Sequence, residues 1–259
     1  MNYFFNLYHE GFDSYIDIPL FDNRGLQKSR NKIWSARIKS GEWEYEGISV
    51  GDEQFARINA TEETKDWIYF VATDSEMECS KKNSLIDLGA FTDTMPDYRC
   101  SLNIESKLGG FSSYQAEYPY RMTKSKGDCY SNVGLLTREE GKKILLFIKN
   151  IDSTPVQKEV LATIYSNKAK KTIGQKLMHT NSLNVYDLTE FAFELKYCEI
   201  LVKGMVGVPI YLLEYDGGAL SLEHTHPPQD MIDGFNKFKM ISKMKDKLYE
   251  NIISDASKI

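Results

Sequence analysis

The 259-residue chain lacks the features that mark several broad classes of protein. No apolar run approaches the roughly 18 residues of a membrane span. Residues 1–20 are fairly apolar but have no basic region, and His9, Glu10 and Asp13 interrupt them, so the sequence predicts no secretory signal. The four cysteines are scattered without a CxxC pair, which is typical of reduced thiols. We therefore expect a cytoplasmic protein with no membrane partner.

The chain also lacks an excess of basic residues. It has 32 Lys and Arg and 37 Asp and Glu, which gives a net charge of -5 and a pI near 5.5. Because nucleic acids and anionic membranes are bound by basic faces, this balance argues against partners of either kind. P-loop, GxGxxG and GxSxG motifs are missing as well, which argues against the enzyme classes that those motifs mark.

Aromatic residues and short alternating runs are abundant. The 16 Tyr and 13 Phe favour pleated surfaces, where ring side chains pack well. Strand-like runs recur between Gly, Asn, Asp and Pro turns, as in residues 143–149, where Ile144, Leu146 and Ile148 share one face. The pattern predicts a mainly β fold, an antiparallel β-sandwich or jelly-roll-like architecture with a C-terminal amphipathic helix.

Two further patterns concern the organisation of the chain. Apolar density falls over residues 73–110, which predicts either a single domain or a smaller β-rich lobe at 1–105 and a β-sandwich lobe at 106–259. After Pro227 and Pro228, apolar residues recur at steps of three and four and predict a helix over 229–255. Its apolar face either packs on the β layer or forms the seam of a homodimer.

Two histidines supply a candidate metal site. On a strand, His224 and His226 would point to the same face, and a pair of imidazoles near a carboxylate suits Zn, Fe or Mn. Gly218, five residues, His224-x-His226 and then the acid Asp230 resemble the first half of the cupin metal motif. The third ligand has to come from upstream, and His179 is a candidate if its strand neighbours that of His224. The alternative is that the histidines are structural and hydrogen-bond within the wall and the turn.

A tyrosine-rich segment supplies a candidate ligand-binding surface. Tyr114, Tyr118 and Tyr120 share parity if their strand is regular, and Arg121 follows at the edge. Such a face could stack sugar rings, and it could equally be the inner surface of the sandwich.

These residues support three hypotheses about function. The first is a non-catalytic or accessory binding protein that binds a carbohydrate through the tyrosine face. The second is a metal-dependent, cupin-like enzyme centred on His224 and His226. The third is a structural or assembly protein that dimerises through the C-terminal helix. The sequence assigns no catalytic residue and does not decide whether the protein is an enzyme.

Overall fold

The structure, a computed structural model, describes residues 2–20, 32–49, 55–88, 100–132, 141–192, 194–223 and 237–257. Within these ranges the chain is mainly β: antiparallel strands form four sheets, and a helix closes the chain. This confirms the predicted mainly β, antiparallel fold with a C-terminal helix, and the four sheets are compatible with the sandwich or jelly-roll-like architecture, which stays a prediction. Neither of the described α-helices has the length and apolar character needed to cross a bilayer.

The first two sheets are built mainly from the N-terminal half. Sheet 1 has the strand order β4-β3-β6-β1-β9, formed by Glu42–Ile48, Lys32–Lys39, Ile68–Ala72, Asn2–Phe4 and Glu117–Pro119. Sheet 2 has the order β5-β2-β7-β8, formed by Phe55–Asn59, Phe12–Pro19, Ser101–Ser106 and Phe111–Gln115. A short helix α1, Asp74–Glu78, follows β6 and begins at a capping box in which Thr73 and Glu76 bond reciprocally to each other's backbone N–H.

The other two sheets are built from the C-terminal half. Sheet 3 has the order β14-β11-β16-β17, formed by Leu183–Asp187, Gly141–Lys149, Val208–Tyr215 and Leu220–Glu223. Sheet 4 has the order β10-β15-β12-β13, formed by Cys129–Asn132, Cys198–Val202, Glu159–Ser166 and Lys171–His179.

Sheet 3 lies between two hydrophobic cores. On one face of β11, Leu145 and Phe147 join the first core, to which sheets 1 and 2 contribute. On the other face, Ile144, Leu146 and Ile148 join the second core, shared with sheet 4. Strand β11 is therefore buried on both faces, which explains its continuous apolar run.

The predicted lobe boundary, between residues 105 and 106, falls inside sheet 2. Ser106 is the last residue of β7, and β8, which follows it, pairs antiparallel with β7. Strand β9 pairs with β1 near the N-terminus. The first core also draws residues from both sides of Ser106, among them Ile16 and Leu212. The two halves share a core, and the division into lobes at 105/106 stays a prediction.

The C-terminal helix, α2 (Lys237–Ala256), lies on the outer face of sheet 4. Leu248, which is almost fully buried, packs with Tyr130, Tyr165 and Leu201 of sheet 4. Met244 and Ile252 lie beside Leu248, and these three helix residues belong to the predicted apolar stripe. The first part of the predicted helix, at 229–236, lies outside the described residues. The described stripe faces the sheet, and the homodimer through this helix stays a prediction.

Candidate functional site

Two cavities flank segment 8–10, which joins β1 to β2. The Ser14 cavity, of about 530 Å³, is lined by residues 8–10 and 12–15 and by Asn59 and Ala60. The Lys65 cavity, of about 350 Å³, is lined by residues 8–10, Glu62, Lys65, Leu183 and Val185. Both volumes lie in the range of about 300–1,000 Å³ that is usual for small-molecule sites.

The Ser14 cavity opens because β5 is shorter than the strand it pairs with. Strand β5 pairs with β2 only from Tyr15 to Pro19, and the Ala60 N–H then donates to the Ser14 carbonyl at 2.8 Å. Toward its N-terminal end, β2 therefore has no β5 partner on that side. The cavity lies along this open edge, so it receives side chains from both faces of β2.

The Ser14 hydroxyl is the most informative atom in this cavity. Ser14 is only 8% exposed, and its Oγ has no hydrogen-bond partner among the described residues. A buried hydroxyl without a partner costs about 1–3 kcal/mol, so such atoms in native proteins call for an explanation. Ser14 lines the cavity, but its Oγ has less than 1 Å² of accessible surface, so a ligand hydroxyl in the cavity would supply the missing partner only after a small shift of the cavity wall.

Tyr15, on the neighbouring position of β2, is held rigidly. The Arg57 guanidinium lies 4.0 Å from the centre of the Tyr15 ring. Asp17 fixes Arg57 through two hydrogen bonds, from Nε at 2.9 Å and from Nη2 at 3.0 Å. The Tyr15 hydroxyl is hydrogen-bonded to Glu105 at 3.1 Å. This preorganisation lowers the entropic cost of binding a ligand against the ring.

His9 lines both cavities, and its surroundings favour the neutral imidazole. Burial and the nearby Lys143 ammonium lower the pKa of His9 below 6.5, and three neighbouring carboxylates oppose this in part. The Gly11 N–H donates to His9 Nδ1 at 3.0 Å, so the neutral ring carries its proton on Nε2. A Cβ on Gly11 would lie 3.1 Å from His9 Nδ1, so a larger residue here would require the His9 ring to shift by a few tenths of an ångström.

A buried lysine holds the far wall of the Lys65 cavity. Lys149 is fully buried, and its ammonium donates to the carbonyl oxygens of Asp66 at 3.0 Å and of Lys65 and Trp67 at 3.4 Å. Burial lowers the pKa of Lys149 to about 8, and the Asp66 carboxylate opposes the shift. Asp66 Oδ1 also accepts from the Leu183 N–H at 2.7 Å, so this turn is tied to β11 and β14.

The predicted tyrosine face does not form. Tyr114 is half-buried on β8 and packs against the first core. Tyr118 is fully buried on β9, in a different sheet, and its hydroxyl donates to the Val206 carbonyl at 3.3 Å. Tyr120 is 7% exposed, in a 3₁₀ helix (Tyr120–Lys124) where Arg121 is exposed. The strand is broken at position 116, so parity does not carry across it, and a ligand-binding role for these four residues stays a prediction.

His179 does not lie near the strand that leads to the other two histidines. It ends β13, exposed, with Nε2 at 3.7 Å from Glu159. Strand β13 lies beside β14, whereas β17 forms the opposite edge of sheet 3, about 14 Å away at three strand spacings. The predicted third ligand required the strand of His179 to lie beside the strand that leads to His224. In the described part of the chain, these two strands are not neighbours.

His224 and His226 lie outside the described residues, as does Asp230. Among the residues that the structure describes, no group of three or more His, Cys, Asp or Glu could hold a metal ion. The Zn, Fe or Mn site at His224 and His226 therefore stays a prediction.

The sequence did not predict that Tyr8, His9, Ser14 and Tyr15 come together around one cavity. One signal was present for Ser14: it shares parity with Phe12, Ile16 and Ile18, which places a lone hydroxyl on the buried face of β2. The cavity around it depends on where β5 ends, which the local pattern does not show.

No protein-family model, curated protein or solved structure matches this chain.

Proposed function

We propose that this protein is a non-catalytic binding protein that holds a neutral carbohydrate in the Ser14 cavity. The observation that carries the proposal is the buried Ser14 hydroxyl without a described partner, on a residue that lines a cavity of about 530 Å³. Tyr8 and Tyr15 also line this cavity. A sugar offers hydroxyls to the polar groups and apolar C–H faces to the rings, so it matches both kinds of wall.

The charges around the cavity favour a neutral ligand. Glu10 and Asp13 line it, and none of its described lining residues is Lys or Arg. Lys143 lies beside His9 and Arg57 beside Tyr15, so cations and carboxylates are mixed around the cavity and no excess of positive charge is present to hold an anionic sugar. The hydroxyls of a neutral sugar can donate to the two carboxylates. Asn59 adds an amide that can both donate and accept.

The environment of His9 favours binding over catalysis. In a hydrolytic triad the Nδ1–H of the histidine donates to a carboxylate, which orients the ring as a base for a nucleophile. Here Nδ1 instead accepts from the Gly11 N–H. His9 is therefore suited to donate a hydrogen bond from Nε2 to a ligand oxygen.

The test is Ser14→Ala with two readouts, and its matched control is Ser131→Ala. Removing a buried hydroxyl that has no partner should leave the free energy of unfolding unchanged or raise it by about 1 kcal/mol. It should also weaken carbohydrate binding about fivefold, the equivalent of one hydrogen bond. Ser131 is also buried, but its Oγ accepts from the Tyr211 hydroxyl at 2.9 Å, so its loss should lower stability and leave binding intact.

Urea denaturation measures the stability of each variant, and isothermal titration with the best ligand from a glycan array measures its binding. The proposal is contradicted if Ser14→Ala binds as tightly as the wild type. It is also contradicted if Ser14→Ala loses as much stability as Ser131→Ala, because the hydroxyl would then have a structural partner.

A further inference from the structure

We propose that the outer face of sheet 2 extends the Ser14 cavity into a platform for a longer, neutral glycan chain. This inference rests on the proposed function and specifies its ligand as an extended oligosaccharide. The outer face consists of the alternate residues of β5, β2, β7 and β8 that point away from the first core.

The platform carries exposed aromatic rings separated by polar side chains. Phe55 on β5 is 42% exposed and Phe111 on β8 is 54% exposed, which is unusual for such large apolar side chains. Tyr15 on β2 has the same outward parity. Ser113 and Gln115 are exposed on the same face of β8. Rings that alternate with hydrogen-bonding groups suit the apolar faces and the hydroxyls of sugars.

The platform is continuous with the cavity. Asp13, Tyr15 and Asn59 line the Ser14 cavity and also point outward on sheet 2. Asn59 is paired in register with Tyr15, so the two side chains lie side by side at the point where the cavity meets the face. A chain that leaves the cavity would therefore run directly onto the platform.

The register places the three rings on a diagonal. Phe55 pairs with Pro19, four residues along β2 from Tyr15, and the Arg57 guanidinium lies between the two rings, 4.0 Å from one centre and 5.7 Å from the other, so the ring centres are less than about 10 Å apart. Phe111 pairs with Glu105, which pairs with Asp13, so Phe111 lies two strands from Tyr15 and about 12 Å away. The separation of Phe111 from Tyr15 is wider than one sugar ring can bridge, and it fits a chain of linked sugars.

Arg57 makes the platform between two of these rings rigid. Its guanidinium lies 4.0 Å from the centre of the Tyr15 ring and 5.7 Å from that of the Phe55 ring. Asp17 fixes its plane through Nε and Nη2. This arrangement leaves Nη1 for ligand oxygens, and it costs little further side-chain entropy on binding.

The charge of the platform selects a neutral chain. Among the described residues of the face, Asp13, Asp17 and Glu105 point outward together with one guanidinium, that of Arg57. The described residues of the face thus carry more negative than positive charge, which disfavours uronic acids and sulfated glycans.

The experiment measures affinity against chain length by isothermal titration. The probes are gluco-, xylo- and malto-oligosaccharides of increasing length, with oligogalacturonates as anionic probes. The variants are Phe55→Ala and Phe111→Ala, and the matched control is Leu108→Ala. Leu108 is 71% exposed in the same β7–β8 hairpin but lies in the turn, away from the face.

For the wild type and Leu108→Ala, we expect affinity for a neutral series to rise with chain length. Phe55→Ala and Phe111→Ala should bind the longest oligosaccharides about three- to tenfold more weakly and the shortest ones unchanged. If binding depends on Ser14 but affinity does not rise with oligosaccharide length, the platform is overturned and the proposed function stands. Binding of no sugar would overturn both.

Two other results would also overturn the platform. The first is tighter binding of oligogalacturonates than of neutral chains. The second is a wild-type dimer in sedimentation velocity that Phe111→Ala dissociates, because the face would then belong to a second copy of the chain.

Discussion

The buried ammonium of Lys149 should make stability depend on pH in an unusual direction. Its folded-state pKa of about 8 lies below the ordinary lysine value of 10.5. Between these pH values the unfolded chain therefore binds more protons than the folded protein, so stability rises with pH. The same contribution is lost as the pH falls from 10.5 to 8, and it changes little below pH 8. From pH 7 to pH 9.5, the gain is about 2 kcal/mol for these two pKa values.

Other buried groups titrate nearby, so the wild type has to be compared with a variant. Burial raises the pKa of Cys129 to about 12, and such thiols lower stability as the pH rises through 9. Lys149→Met retains these groups, keeps a side chain of similar length and removes the titrating ammonium. The difference between the two pH profiles isolates Lys149.

The assay is urea denaturation followed by tryptophan fluorescence from pH 7 to pH 9.5, with a reductant present. We expect the wild-type free energy of unfolding to rise relative to that of Lys149→Met by about 2 kcal/mol. Lys158→Met, at an exposed position, should show the wild-type pH dependence. Parallel profiles for the wild type and Lys149→Met would refute the reasoning, because they would mean that burial does not shift this lysine.

Three further predictions follow from burial. Tyr118→Ala should cost about 3–5 kcal/mol in urea denaturation because the side chain is fully buried, and a loss below 1 kcal/mol would contradict its place in the core. Iodoacetamide at pH 8 should modify exposed Cys79 and spare Cys129, whose thiol is buried with its pKa raised to about 12. Peptide mass spectrometry identifies the modified cysteine, and modification of Cys129 but not of Cys79 would contradict this prediction. Leu248→Ala should weaken the docking of α2 by about 2–5 kcal/mol and speed its hydrogen exchange, whereas unchanged exchange would argue against packing on sheet 4.

The strands were predictable where alternation reports burial on one face. Ile144, Leu146 and Ile148 were expected to share a face, and they meet in the second core. The alternation could not show that Leu145 and Phe147 face another core, because a strand buried on both sides reads as a continuous apolar run. The central position of sheet 3 depends on pairing between distant strands, which local pattern does not contain.

The candidate site was harder to predict because it depends on where strands end. Parity across Tyr114 and Tyr118 was a sound rule for one regular strand, but the chain changes sheet at position 116. Ser14 had a visible signal in its buried parity, yet the local pattern does not show that its hydroxyl lacks a partner among the described residues. Helical periodicity, in contrast, correctly predicted that Leu248 lies on the packed stripe of α2.

The central claim is that a neutral carbohydrate binds at Ser14. The most direct test is a glycan array probed with the wild-type protein, followed by NMR mapping of the glycan that binds best. The account predicts a neutral glycan and chemical-shift changes centred on Tyr8, Ser14 and Tyr15. Binding of no glycan on the array, or changes centred on Tyr118 and Arg121, would contradict it.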